Sequence, residues 1–128
     1  LTMRDKTNST RYFSFKLPGI SEWDTDKTYS IKKLVLEPKD IIDSFDAPYH
    51  NYVQGACACG GKVYSLEGFT NSEKAPAALR VISGENKCEE LCVKFADFGI
   101  DIEPEFIDFH NGTCYYSDNI GNLYTIEF

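Results

Sequence analysis

A cluster of aromatic and amide side chains is the part of the chain best suited to recognising a ligand. Tyr49, His50 and Tyr52 fall within four residues, and Gln54 follows two positions later. Aromatic rings and side-chain amides are contacts that sites use to bind and orient sugars and peptides. We therefore take these four residues as candidate binding residues. The alternative is that the cluster only fills its own loop.

Carboxylates offer a second kind of chemistry. Glu105 and Asp118 carry the oxygen ligands that Ca²⁺ prefers, and Asn119 follows Asp118. The calcium spacing D-x-D-x-D-G does not occur, so hydrogen bonding within turns and at a strand start is the expected role. We therefore expect no cofactor, with Ca²⁺ as the alternative.

Catalytic motifs are missing from the sequence. It contains no H-E-x-x-H pair, no nucleophile elbow and no glycine-rich phosphate loop, which favours a non-catalytic protein. The opposing hypothesis is a hydrolase in which Glu105 and Asp108 belong to a larger set of carboxylates.

The five cysteines do not indicate one chemistry. One residue separates Cys57 from Cys59, three separate Cys88 from Cys92, and Cys114 stands alone. These spacings differ from the C-x2-C of zinc knuckles, and an odd count leaves one thiol unpaired. Buried free thiols are expected, with a disulfide or a zinc site as alternatives.

Length and charge restrict the class of protein. The 128 residues suffice for one domain, and 42% hydrophobic residues is too many for a disordered chain. A formal net charge of −7 argues against binding nucleic acid, because that affinity comes from clustered Lys and Arg. No run approaches the roughly 20 apolar residues of a membrane helix. We expect an extracytoplasmic or cell-surface location rather than a cytoplasmic one.

An internal repeat of 51 residues must position the candidate residues. Gly61 and Gly112 stand in similar contexts at this offset, and one further step back reaches Thr10. The run Arg11-Tyr12-Phe13-Ser14-Phe15 repeats the order basic, apolar, aromatic, Ser, apolar of Lys62-Val63-Tyr64-Ser65-Leu66. The same offset pairs Gln54 with Glu105, so Glu105 joins the candidate binding residues. It also pairs Tyr52 with Glu103.

The repeat units have the pattern of antiparallel strands joined by tight hairpins. Asn111-Gly112 between two β-rich runs predicts a type I′ turn, and Gly60-Gly61 occupies the same place. The predicted strands are 12–17, 29–36 and 41–45, then 54–59, 62–69, 78–83 and 91–95, then 106–109, 113–117 and 123–126. Short helices over 85–96 and 39–45 are the competing interpretation, based on helix-favouring residues such as Glu89 and Leu91.

Four-stranded antiparallel units with a period of about 50 residues are typical of β-propeller blades. The chain resembles propellers with NHL, kelch or gluconolactonase-like blades on the residues 104–116 and 118–124. The resemblance implies a single all-β unit over 1–128, with a partial blade at 5–46, a full blade at 47–96 and a partial blade at 97–128. A β-sandwich is the alternative fold.

Nearly three blades are fewer than the four to eight of typical rings. The resemblance therefore implies either the C-terminal part of a longer propeller or a partial propeller completed by a second copy. In both cases the end faces are covered. They are expected to carry Tyr12, Phe13, Phe15 and Leu17 in the first copy, which lacks its innermost strand, and Phe106, Tyr115, Tyr116 and Ile126 in the last.

The resemblance also implies where a ligand binds. Propeller ligands bind around the axis, where innermost strands begin, and Gln54 and Glu105 occupy that position. Lactonase-like propellers place an acidic metal ligand there, although Phe106 stands where their motif has glycine. We expect a non-catalytic recognition or scaffold module that binds a glycan, a peptide or a protein. The alternative is part of a metal-dependent lactonase-like or glycosidase-like hydrolase.

Overall fold

In the part of the chain that the structure describes, strands make up the regular structure apart from two short 3-10 turns. The computed structural model describes residues 2–4, 9–15, 36–48, 52–101 and 103–128. Its strands are β1 (Thr2–Arg4), β2 (Ser9–Phe15), β3 (Ile41–Pro48), β4 (Val53–Cys59), β5 (Lys62–Glu67), β6 (Ala78–Ser83), β7 (Glu89–Lys94), β8 (Pro104–His110), β9 (Thr113–Asp118) and β10 (Leu123–Ile126). No α-helix occurs within these described ranges, so the predicted all-β fold is confirmed.

Three antiparallel sheets are formed from consecutive parts of the chain. The first sheet has the order β1-β2-β3, the middle sheet β4-β5-β6-β7 and the last sheet β10-β9-β8. The predicted hairpin turns are confirmed at Gly60-Gly61 and Asn111-Gly112, where all four residues have positive φ angles between 49° and 81°. A type I′ turn requires this backbone conformation, which glycine and asparagine tolerate best.

The segments that competed as helices are strands. β7 and β3 occupy them, and the helical tendency is confined to 3-10 turns at Pro38–Asp40 and Phe95–Phe98. Cross-strand pairing decides the outcome, because β7 pairs with β6 through Leu79↔Val93 and Arg80↔Cys92. Tertiary pairing of this kind overrides a weak local helix propensity.

The 51-residue repeat is reproduced in the middle and last sheets. Each boundary of β8 and β9 lies 51 residues after the matching boundary of β4 and β5. Both hairpins also contain a β-bulge at the same place. Gln54 is the extra residue between the pairs Val53↔Glu67 and Gly55↔Leu66, and Glu105 is the extra residue between Pro104↔Asp118 and Phe106↔Ser117.

The middle sheet is covered on both faces. One face packs against the last sheet through Leu66, Leu79, Ile107, Cys114 and Tyr116, with Tyr64 and Tyr124 at the margin. The other face packs against the first sheet through Tyr12, Ala47 and Ile82. Ile107 is buried in the interface with the middle sheet, whereas its neighbour Phe106 is 50% exposed on the outer face of the last sheet.

Gly55 permits a close approach between the middle and last sheets. A Cβ atom at this position would lie 2.8 Å from the carbonyl oxygen of Glu105 and 3.2 Å from the Cα of Phe106. Its equivalent in the last sheet is Phe106, whose side chain has no further sheet over it among the described residues. Glycine thus occurs at the position where backbone atoms of the next sheet leave no space for a side chain.

The first sheet departs from the repeat. At the 51-residue offset Phe13 matches Tyr64 and should face the middle sheet, but Tyr12 faces it instead. A one-residue change of alignment moves every side chain of a strand to the opposite face. Tyr12 is therefore buried, and the prediction that it lies on an open end face is wrong.

One further expectation for the first copy needs correction. The innermost position is not vacant, because β1 pairs with β2 through Thr2↔Tyr12 and Arg4↔Thr10. β2 also pairs directly with β3. The predicted strand 29–36 stays a prediction, because residues 29–35, like Leu17, lie outside the described residues.

The prediction of which residues form the open face of the last sheet is wrong in part. Tyr116 and Ile126 face the middle sheet, and Tyr116 is buried. Phe106 and Leu123 are the large apolar side chains exposed on the opposite face. Asp108 and His110 share that face, at positions where the covered face of the middle sheet has Cys57 and Cys59.

The cysteines are buried only in part. Cys114 is buried and Cys57 and Cys59 are half-buried, but Cys88 and Cys92 are exposed, so the expectation of buried thiols is wrong for this pair. All five are unpaired in the structure. Burial raises the pKa of Cys57 to about 12, which keeps this thiol protonated and unreactive near neutral pH.

The close approach at Gly55 predicts a specific effect of one methyl group. Gly55→Ala should lower the free energy of unfolding by about 1–3 kcal/mol, because backbone atoms of β8 must move. The control is Gly60→Asn, because nothing lies within 4 Å of a Cβ added at Gly60. This variant introduces the residue found at the equivalent position, Asn111. Urea unfolding measures both variants. Equal losses for the two variants would contradict the close approach.

Candidate functional site

Three of the candidate binding residues, Tyr52, Gln54 and Glu105, lie where the neighbouring strands β4 and β8 begin. We call this surface the rim and define it by Tyr52, Phe69, Gln54, Glu103 and Glu105. The two bulges give it its shape, because each inserts one extra residue at the strand start and re-aims that side chain. Equivalent backbone hydrogen bonds form just before both strands. The Gly68 N–H donates to Tyr52 O, and the Asn119 N–H donates to Glu103 O.

A side-chain hydrogen bond joins the two halves of the rim. Gln54 Nε2 donates to Glu103 Oε1 at 2.5 Å and also lies 3.4 Å from the carbonyl oxygen of Gly68. Hydrogen bonds to a charged acceptor are stronger than neutral ones. The bond therefore holds the Glu103 carboxylate at a fixed place between the two sheets.

Tyr52 supplies an aromatic surface to the rim. Its backbone is left-handed, with φ 56°, and its ring lies 4.7 Å from the ring of Phe69 at a tilt of 53°. The Tyr52 residue is nevertheless 48% exposed. A ring held by a neighbour and still open to solvent is suited to stacking on a ligand.

The sequence-based candidates fall into three groups. Tyr52, Gln54 and Glu105 lie together at the rim, whereas Tyr49 and His50 lie outside the described residues. Glu103 and Phe69 were not among the candidates. Glu103 is the repeat equivalent of Tyr52, and that signal could have identified it; Phe69 carries no comparable signal. Asp118 pairs with Pro104 next to the rim, but its own side chain is buried.

Asp118 organises the turn between β9 and β10. Its Oδ1 accepts hydrogen bonds from the backbone N–H groups of Ile120 and Asn122, and its Oδ2 accepts from the Asn122 amide and the Tyr124 hydroxyl at 2.8–2.9 Å. Burial opposes ionisation, but these four donors outweigh it and lower the pKa of Asp118 to about 2. With both oxygens occupied, Asp118 stabilises the turn, as expected from its sequence context.

Glu67 is the repeat equivalent of Asp118, but its pKa is shifted in the opposite direction. It is buried on the face of the middle sheet that covers the first sheet. Burial raises its pKa to about 7, although the Arg80 guanidinium lowers it through an ion pair with Nε 2.6 Å from Oε1. Arg80 is shared with Glu89, whose charge raises the pKa of Glu67 further.

Glu67 is poorly placed to transfer a proton to a ligand. A carboxyl with a pKa near neutrality is a common general acid, but Glu67 is enclosed between two sheets and paired with Arg80. Glu105 at the rim and Asp108 on the outer face of the last sheet are carboxylates exposed to solvent. Across the ranges that the structure describes, no three His, Cys, Asp or Glu side chains are grouped closely enough to hold a metal ion.

Comparisons with known proteins add no relative. The chain matches no protein family, no curated protein and no solved structure. Among the described residues no helix has the length and apolar character needed to cross a membrane.

The two equivalent carboxyls predict opposite effects of pH on stability. The folded pKa of Asp118 lies below its ordinary 3.8, so its contribution is present above about pH 4 and is lost as the pH falls towards 2. The folded pKa of Glu67 lies above its ordinary 4.5, so its contribution is present below that value and is lost as the pH rises through about 7.

Urea unfolding over the range of about pH 2 to 8 tests this contrast. Asp118→Asn should flatten the loss of stability on the acid side only. Glu67→Gln should flatten the loss between about pH 5 and 8 only. Either variant changing the slope in the other window, or neither changing it, would contradict the assignment.

Proposed function

We propose that the chain is a non-catalytic recognition module built of stacked β-propeller blades. The internal repeat supports the blade assignment, since β4–β5 and β8–β9 match in boundaries, turn and bulge at an offset of 51 residues. Each sheet is also formed by a contiguous part of the chain. In the competing β-sandwich, strands commonly cross from one sheet to the other.

The rim is the proposed binding surface. The observation that carries this proposal is the exposed Tyr52 ring, which is held against Phe69 beside the bonded pair Gln54 and Glu103. Its aromatic face can stack on an apolar group, and the fixed carboxylate can accept hydrogen bonds from a donor next to it.

A basic peptide segment is the partner that suits this rim best. Glu103 and Glu105 give the rim two acidic residues, and the chain as a whole carries a formal net charge of −7. Lys and Arg side chains combine a charged head with an apolar stem, so one such residue can contact both a carboxylate and the ring. A glycan would stack on the ring and donate hydrogen bonds to the carboxylates. Such a ligand would not need a positive charge.

Selection from a random peptide library tests the proposed function. The immobilised 128-residue chain should enrich peptides that contain Lys or Arg next to an apolar residue. Tyr52→Ala, and separately Glu103→Gln with Glu105→Gln, should each weaken binding of an enriched peptide by roughly tenfold. Fluorescence anisotropy at low and moderate salt measures the affinities, and the charge variants should also reduce the salt dependence.

Two variants away from the rim serve as controls. Phe98→Ala removes an exposed aromatic ring, and Asp97→Asn removes an exposed charge in the same 3-10 turn. Both should leave peptide affinity unchanged. If peptides bind both sets of variants equally, or if only neutral glycans bind and Tyr52→Ala abolishes that binding, the basic-peptide proposal is wrong.

The outer face of the last sheet is a proposed contact with further protein. Phe106 and Leu123 are at least half exposed there, and a blade normally buries both faces against its neighbours. The rest of a longer parent chain or a second copy would cover them. Analytical ultracentrifugation of the 128-residue chain should reveal a self-associating species that Phe106→Asp with Leu123→Asp converts to monomer. A wild-type monomer at high concentration would exclude the second copy.

A further inference from the structure

A cavity of about 210 Å³ lies between the first and middle sheets and is partly open to solvent. The rings of Tyr12 and Phe45 form one wall, stacked 5.3 Å apart. The small side chains of Ala56 and Ala58 on β4 form the opposite wall. The cavity is separate from the rim, since none of the rim residues lines it.

The repeat explains why this volume is empty. Ala56 and Ala58 are the equivalents of Ile107 and Phe109, 51 residues later. Ile107 is buried and Phe109 packs on Tyr64 at 4.6 Å, so these larger side chains fill the interface between the middle and last sheets. Alanine at both positions of β4 leaves the corresponding interface on its other side underfilled, although interiors are normally close-packed.

One end of the cavity is polar. Ser14 and Asp43 are cross-strand neighbours in β2 and β3, and both line it. Asp43 Oδ1 accepts a hydrogen bond from the Ser44 N–H at 2.8 Å. Within the described part of the chain no hydrogen bond or ion pair engages Oδ2. The cavity thus combines apolar aromatic walls with one carboxylate, which is the pattern of a ligand site rather than of a simple packing defect.

We propose that this cavity binds a small organic cation, a primary amine attached to a single aromatic ring. A dry cavity of about 150 Å³ accepts benzene, so 210 Å³ holds one ring with a short substituent. The ring lies between the Tyr12–Phe45 wall and the two alanines. The ammonium group faces Asp43 and donates to its carboxylate, with the Ser14 hydroxyl as a further acceptor.

Benzylamine is the probe that tests the proposal, with benzyl alcohol and benzoate as matched neutral and anionic probes. Titration of the full chain followed by two-dimensional NMR should give saturable shifts at β2, β3 and β4. Benzylamine should bind about two to five times more tightly than benzyl alcohol, the range expected of a solvent-accessible ion pair. Benzoate should bind more weakly than both.

Exchanging residues between equivalent positions gives the decisive variants. Ala58→Phe introduces the residue of position 109 and should weaken benzylamine binding at least tenfold while retaining the fold. Ala56→Val fills part of the same volume and replaces this variant if Ala58→Phe does not fold. Asp43→Asn should remove the preference for the amine and leave benzyl alcohol binding unchanged. Ala96→Phe, at an exposed position in a 3-10 turn, should change nothing.

Several outcomes would overturn the proposal. One is benzylamine binding that Ala58→Phe or Ala56→Val does not weaken. A second is an equal preference for amine and alcohol in the wild-type chain. A third is the absence of saturable shifts with any of the three probes, which would mean that another part of the chain fills the cavity.

Discussion

The approach of β4 to β8 at Gly55 is the contact on which the rest of the arrangement depends. Backbone atoms of Glu105 and Phe106 occupy the space that any larger residue would need. Because the two strands meet there, Gln54 reaches Glu103 and the rim is a single surface. The same approach lets Leu66 and Ile107 bury each other between the sheets, and each such side chain contributes about 1.5–3 kcal/mol when fully buried.

The residue type at a position depends more on what packs against that position than on its place in the repeat. Backbone atoms of the next sheet lie close to Gly55, whereas the ring of its equivalent Phe106 is half exposed to solvent. Glu67 and Asp118 are both buried acids at one position of the hairpin, but Glu67 pairs with an arginine on the next strand of its own sheet, whereas Asp118 accepts hydrogen bonds from four donors. Their acidities differ accordingly, with pKa values of about 7 and about 2. Equivalent backbones therefore support different electrostatic environments.

The local signals in the sequence predicted local structure well. Asn111-Gly112 needs only its own backbone preference to form a hairpin, and the 51-residue offset located the strands of two copies. The first copy was harder, because Tyr12 and Phe13 are adjacent aromatic residues and either could face the core. Only packing against Ile82 decides between them. At the site, the repeat identified Gln54 and Glu105. The pairing of Tyr52 with Phe69 depends on a left-handed backbone at Tyr52, which the residue type does not indicate.

Both proposed binding surfaces lie where the repeat is broken, and there is a physical reason for this. Positions that preserve the pattern, such as Leu66 and Ile107, are committed to packing between sheets. At the rim, the middle copy has Gln54 where the last copy has Glu105, and Gln54 contacts Glu103. A carboxylate at position 54 would lie at hydrogen-bond distance from that of Glu103, and two like charges this close repel each other. The neutral amide avoids this repulsion and donates a hydrogen bond to Glu103 instead. Its presence supports the proposal of a rim that recognises a cationic partner rather than one that gathers acidic ligands around a metal ion.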